Sequence, residues 1–305
     1  MSAEGLPAVA RRRVRNALRA AREASGQSQA AVAGALGWSM SKLQRIELGE
    51  VTVSPDDLRV MLEHYRIPDE EWADLVEDAR IARRERYWSA EHNWELIPAG
   101  LRHLLQFETA ATRMTIFQPH VLPGSLQTPR TAEAILEGWQ PERDAEQAQA
   151  IRRARAQRRE RVTGDAAVPD FRLMLDESVL WRVVGDRSVT AEQFLDLVEV
   201  AERPNVRVRI LPFDRGALAG TMGGFTLIQF DPDDPADTVL YRERLLQDEV
   251  VDGGAEVAVF LRYFDRFWSE AMDEGVTAHV IRARAAQLSA EAAQEVWRTG
   301  LGPHR

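Results

Sequence analysis

Cysteine is absent from the 305-residue sequence, which removes disulfides, thiolate metal sites and a thiol nucleophile and agrees with a reducing compartment. No stretch approaches the roughly 18 apolar residues of a membrane span. The N-terminal MSAEGLPAVARRRVR also lacks the apolar run of a signal peptide. A cytoplasmic protein with no membrane association is therefore expected. Catalytic signatures are missing as well. There is no HExxH pair, Gly220, Gly223 and Gly224 form neither GxGxxG nor a P-loop, and Ser178 has no GxSxG context. His92, His103 and His120 cluster without metal-ligand spacing, and Asp231, Asp233, Asp234 and Asp237 lack the Gly and terminal Glu of a calcium loop. The expectation is no metal, no cofactor and no enzymatic activity.

What is present is a globular composition, 45% hydrophobic and 29% charged, in a chain long enough for two cores. The net charge of -9 hides an asymmetry: residues 1–49 carry eight Arg and Lys against three Glu, a net +5, so the remainder carries -14. A local basic face suits phosphate contact, and an acidic remainder discourages indiscriminate adhesion to nucleic acid.

Hydrophobic spacing and end signals predict five short helices in about the first 80 residues. The first runs from Arg11 to Glu23 and stops at Ser25-Gly26. Ser28 caps the second, Gly37 breaks it, and Ser39 caps a third that runs through Glu47. Ser54-Pro55 and Pro68 start the fourth and fifth. Residues 81–97 read as a helical connector. From 98 to 305 the pattern mixes β-like runs, TIFQPHVLPG, FRLMLDES, NVRVRILPF, GGFTLIQF and DTVLYRER, with helices near 129–138, 144–162, 190–202, 254–271 and 277–297. The expected architecture is an all-α five-helix domain over 1–80 followed by an α+β domain.

Within QAAVAGALGWSMSKLQRIEL, residues 29–48, Val32, Leu36, Trp38, Leu43 and Ile46 have inward spacing. Ala33 is small where two helices cross, and Gly37 supplies a turn with φ > 0. The plainer alternative is a helical hairpin that only packs core. This segment resembles the lambda-repressor-like (XRE) helix-turn-helix family, whose third helix enters the major groove. The resemblance, over about residues 11–80, implies that Gln29 clamps the DNA backbone and that Met40, Ser41, Gln44 and Arg45 face the groove. The chemistry agrees: Arg45 can pair with guanine, Gln44 with adenine, and Lys42 with phosphate, with Ser39 at the helix start. Met40 departs from the Gln common in relatives and offers only apolar contact. Arg12 and Arg15, within the run Arg11 to Arg15, are candidates for phosphate or minor-groove contact, against the alternative of a solubilising frayed terminus. The second arginine run, from Arg152 to Arg161, reads instead as a solvated helix face pairing with the acidic domain.

The remainder resembles a family of regulators from GC-rich bacteria whose C-terminal domain has no assigned function. The segments FETAATRMTIFQPHVLPGSLQTPRTAEAIL, RPNVRVRILPF and GGFTLIQF carry that resemblance. It implies a regulator encoded beside a small partner protein, as in toxin-antitoxin-like pairs. Pro119 and Pro123-Gly124 force a loop that suits a pocket rim, so Phe117, His120, Trp94 and Trp139 are candidate ligand contacts, although aromatic residues at such positions are more often core. The combined reading is a homodimeric, sequence-specific transcriptional regulator of a double-stranded DNA operator, controlled by a partner protein or a small-molecule effector. The alternative is an enzyme or small-molecule-binding protein on a reused regulator scaffold. A pocket of several hundred Å³ favours a small molecule, an exposed apolar patch a protein, and a cleft with a strongly shifted carboxylate or histidine an enzyme.

Overall fold

The computed structural model describes residues 6–47, 51–83, 96–138, 145–164, 169–215, 219–231, 233–234, 237–243 and 248–300. The chain divides into two units, Met1–Glu95 and Leu96–Arg305.

The first unit contains α1 (Pro7–Ala24), α2 (Gln29–Ala35), α3 (Met40–Glu47), α4 (Pro55–Tyr65) and α5 (Asp69–Ala82). Local chemistry sets their ends. Ser28, Ser39 and Ser54 each accept a hydrogen bond through the side-chain oxygen from the backbone N–H three residues on. Gly26 and Gly37 close α1 and α2 at φ +69° and +66°. Acidic residues fill the first turns of α4 and α5, where the helix dipole favours them. Val14, Leu18, Val32, Ala33, Leu43, Ile46, Leu58, Met61, Leu62 and Leu75 then meet in one buried cluster. Two boundaries differ from expectation. α1 begins four residues early, because Pro7 suits the first helical position and Ala8 to Ala10 are buried apolar residues. α5 continues to Ala82, into the expected connector, most of which lies outside the described residues.

The second unit is built on a six-stranded sheet: β1 (Arg113–Gln118), β2 (Asp170–Asp176), β3 (Val206–Leu211), β4 (Phe225–Gln229), β5 (Thr238–Arg242) and β6 (Glu249–Asp252). Its strand order is β3-β2-β1-β4-β5-β6. The first three strands are parallel and the remaining pairings antiparallel. The helices are α6 (Ala99–Ala110), α7 (Pro129–Gly138), α8 (Ala145–Thr163), α9 (Arg187–Val200), α10 (Ala219–Met222), α11 (Gly254–Glu270) and α12 (Glu274–Gly300), with a 3-10 turn over Glu177–Trp181. This is the α+β architecture that the sequence predicts.

Period-two alternation divides the sheet between two cores. Met114, Ile116, Leu173, Val208 and Ile210 face one way, with Phe194 of α9 and Ile281, Ala285 and Leu288 of α12. Phe117, Met174, Leu211, Phe225 and Leu240 face the other way, under Phe260, Phe264 and Phe267 of α11. The arginines of α8 tie its neighbours together. Arg152 bonds Glu133 at 2.6 Å, Arg158 bonds Glu108 at 2.7 Å, and Arg159 bonds Asp196 at 2.5 Å. Arg161 donates to the carbonyls of Glu108 and Thr109. The expected pairing is present, but Arg158 is buried rather than solvated, its side chain only 11% exposed.

Candidate nucleic-acid interface

α3 turns two faces in opposite directions. Leu43, Ile46 and Glu47 are buried, while Met40, Ser41, Gln44 and Arg45 are exposed. The exposed set recurs at i, i+1, i+4 and i+5, which is one helix face. An eight-residue helix rises about 12 Å at 1.5 Å per residue, short enough for these four side chains to act as one surface. That surface offers an amide, a guanidinium, a hydroxyl and a thioether.

The remaining candidates on α2 and α3 hold the surface in place. Ser39 caps α3, its Oγ accepting from Lys42 N–H at 3.2 Å. Lys42, the single lysine of the chain, donates to Asp57 Oδ1 at 2.6 Å and lies 3.9 Å from the centre of the Trp38 ring. It thereby fastens α3 to α4 as well as adding charge. Gln29 Nε2 donates to Glu47 Oε2 at 2.7 Å, and Arg22 Nε donates to Glu47 Oε1 at 2.6 Å. The Glu47 side chain is only 3% exposed, so one buried carboxylate ties α1, α2 and α3 together. Its hydrogen bond, ahead of opposing burial, holds Arg22 above the usual guanidinium range. Sequence reading missed Arg22, Glu47 and Asp57. Each is a charged residue at a surface-like position in its own helix, and only the tertiary partner reveals its role.

Arg12 of α1 corrects the expectation placed on it. Arg12 is 6% exposed, so it is a buried side chain rather than one extended toward phosphate. Arg15 is half-buried. Burial first, then the charges of Arg12, Arg19 and Arg11, pull its pKa down to about 10. The cause is the early start of α1, which makes these residues the interior of an 18-residue helix rather than a frayed arm.

The expected ligand contacts of the second unit come together only in part. Phe117 is fully buried under α11 in the sheet core, a correction to its assignment as a pocket residue. Its parity on β1 places it in the core on the sheet face opposite to that of Leu122, Val179 and Phe194. His120 is exposed and borders a cleft with Leu122, Val179, Arg182 and Phe194. The water-accessible space there is about 20 Å³, room for about one water molecule. Trp94 and Trp139 lie outside the described residues.

Two crossed helices joined by a left-handed glycine turn, with a capped and polar second member, define a helix-turn-helix unit of the DNA-binding regulator class. Residues 14–75 match the family described as Helix-turn-helix domain. Residues 101–283 match the family described as Domain of unknown function (DUF5753). That second match covers more than half of the chain, and the protein belongs to this family. No curated protein and no solved structure matches the chain. Among the described residues, no helix is long and apolar enough to cross a membrane.

Proposed function

We propose that the protein is a sequence-specific transcriptional regulator of the XRE type, acting in the cytoplasm as a homodimer on a pseudo-palindromic operator. The observation that carries this reading is the division of α3 into a buried Leu43, Ile46 and Glu47 face and an exposed Met40, Ser41, Gln44 and Arg45 face. Arg45 reads guanine through two parallel hydrogen bonds, Gln44 reads adenine, and Met40 packs on a thymine methyl. Two copies of α3 enter successive major grooves about 34 Å apart.

The second unit is a receiver, not a catalyst. Trp181 and Phe213 are both 56% exposed, which supports docking of a small partner protein in an antitoxin-like pair. The cleft beside His120, with about 20 Å³ of water-accessible space, supports a small-molecule effector much less.

Selection of bound duplexes from a random pool by the full chain tests the regulator reading. The expected product is a two-fold symmetric site, and absence of any enriched sequence overturns the proposal. Repeating the selection with Arg45→Ala should relax one position of each half-site by about 1–3 kcal/mol of discrimination. Unchanged discrimination removes Arg45 as a reader.

A further inference from the structure

On the sheet face that carries Phe117, Met174 and Leu211, the parallel strands begin with charge rather than with apolar residues. Arg113 of β1 is in register with Asp170 of β2, and Arg172 of β2 with Arg207 of β3. All four side chains have the same parity as the buried residues further along, so they share one corner of one face. Asp170 is their common partner. Arg113 Nε donates to it at 2.9 Å and Arg207 Nη2 at 2.7 Å. Arg172 Nε lies 3.5 Å away, without hydrogen-bond geometry. That Nε is enclosed and has no hydrogen-bond partner among the described residues.

Three guanidinium groups gather around one carboxylate at contact distance, and the carboxylates of Asp265 on α11 and Glu274 on α12 also act electrostatically on Arg172 and Arg207. Burial, partly opposed by Asp170 and then reinforced by Arg113 and Arg207, pushes Arg172 below the usual guanidinium range. Asp265 of α11 also acts on Arg172, as the weakest of these influences. Burial raises the Asp170 carboxyl, but the bonds from Arg113 and Arg207 outweigh it and hold the group below the usual carboxylate range. Arg209, next along β3, adds no free charge, since it bonds Glu274 at 3.0 Å and the carbonyl of Trp268. The corner remains open: the side chains of Arg113, Arg172 and Arg207 are 34%, 24% and 44% exposed.

We propose that this corner of the sheet is a binding site for a dianionic oxyanion, a phosphate or phosphate monoester, held by Arg113, Arg172 and Arg207 beside Asp170. A phosphate group above its second pKa of about 6 carries close to two negative charges, enough to engage more than one of these guanidinium groups at once. Its oxygens suit guanidinium forks, which donate in pairs. The site lies wholly within the second unit and gives it an input separate from the Trp181 and Phe213 surface.

Equilibrium dialysis of the full chain against radiolabelled inorganic phosphate, at fixed ionic strength and about pH 7.5, above that second pKa, tests the proposal. Saturable binding is expected, weakened at least about tenfold by Arg172→Ala or Arg207→Ala, a change of about 1.4 kcal/mol. Asp170→Asn removes the competing carboxylate and should tighten binding several-fold, a gain that misfolding cannot produce. Arg282→Ala, at an exposed arginine of α12, should leave binding unchanged. A monoanionic phosphodiester should bind at least about tenfold more weakly than a phosphate monoester. Equal affinity would assign the corner to nucleic-acid backbone and overturn the proposal. Absence of saturable binding, insensitivity to Arg207→Ala, or weaker binding in Asp170→Asn each overturns it too. Phosphate held instead by the helix-turn-helix unit would give the insensitive result.

Discussion

Glu47 accepts from Arg22 and Gln29 while almost wholly removed from water, so its worth depends on both donors being present. Removing one member of a buried ion pair costs more than the pair contributes, because the remaining charge keeps its desolvation penalty. Glu47→Ala should therefore lower stability by about 3 kcal/mol, read as a shift of the urea midpoint, and should weaken DNA binding beyond the loss of folded protein. Full stability in that variant would show that packing alone orients α3. Tyr65 lies in the same neighbourhood. Its hydroxyl is buried without a hydrogen-bond partner among the described residues, and burial, then the charge of Glu47, pushes its pKa up to about 12. Lys42 carries a different lesson. Its residue type suits phosphate, but Asp57, fifteen positions away, holds it against α4. A half-exposed pair of this kind contributes little energy, and its effect is mainly to limit where the lysine reaches.

Helix ends are where the sequence was most legible, since a cap or a turn is a contract between residues three or four apart. Ser28, Ser39 and Ser54 sit where their hydroxyls meet the N–H groups they were expected to meet. Gly37 has φ +66° and an added Cβ there would touch nothing, so Gly37→Ala tests backbone strain alone. It should cost about 1 kcal/mol. Arg66 closes α4 at φ 55°, a left-handed position where glycine is favoured, and Arg66→Gly should gain about 0.5–1 kcal/mol. Opposite shifts of the denaturation midpoint are expected from the two variants. Shifts of the same sign would mean that side-chain contacts decide these turns. β6 and α6 escaped sequence reading for physical reasons. EVVD has four residues and two charges, and pairing with β5 alone makes it a strand. α6 was obscured because its C-terminal FETA leads through only Ala111 and Thr112 into β1 and reads as part of one motif.

At the scale of the whole molecule, the proposed dimer makes a geometric demand that no single residue carries. Half-sites on one face of the duplex are separated by about 10.5 base pairs per turn. Inserting about five base pairs between them places the second half-site on the opposite face. Affinity in a gel-shift titration should then fall to that of a single half-site. Undiminished affinity would show that each copy binds alone. Charge distribution works at the same scale. The net +5 of residues 1–49 against -14 for the remainder favours contact with phosphate through the helix-turn-helix unit and disfavours it elsewhere. The proposed oxyanion corner is a local exception within that acidic remainder.

The sequence by itself determined the five-helix order, the caps, the Gly37 turn and the exposed face of α3, along with the α+β character of the second unit. Each depends on spacing within a few residues, which the chain carries wherever it goes. Only tertiary structure decided that Arg12 is buried, that Phe117 is core, and that Glu47 gathers three helices. The same holds for Arg113, Arg172 and Arg207, which converge on Asp170 because strand pairing places residues 37 and 57 positions from it alongside. Which charges become neighbours is set by sheet register and helix crossing, and neither is written in local periodicity.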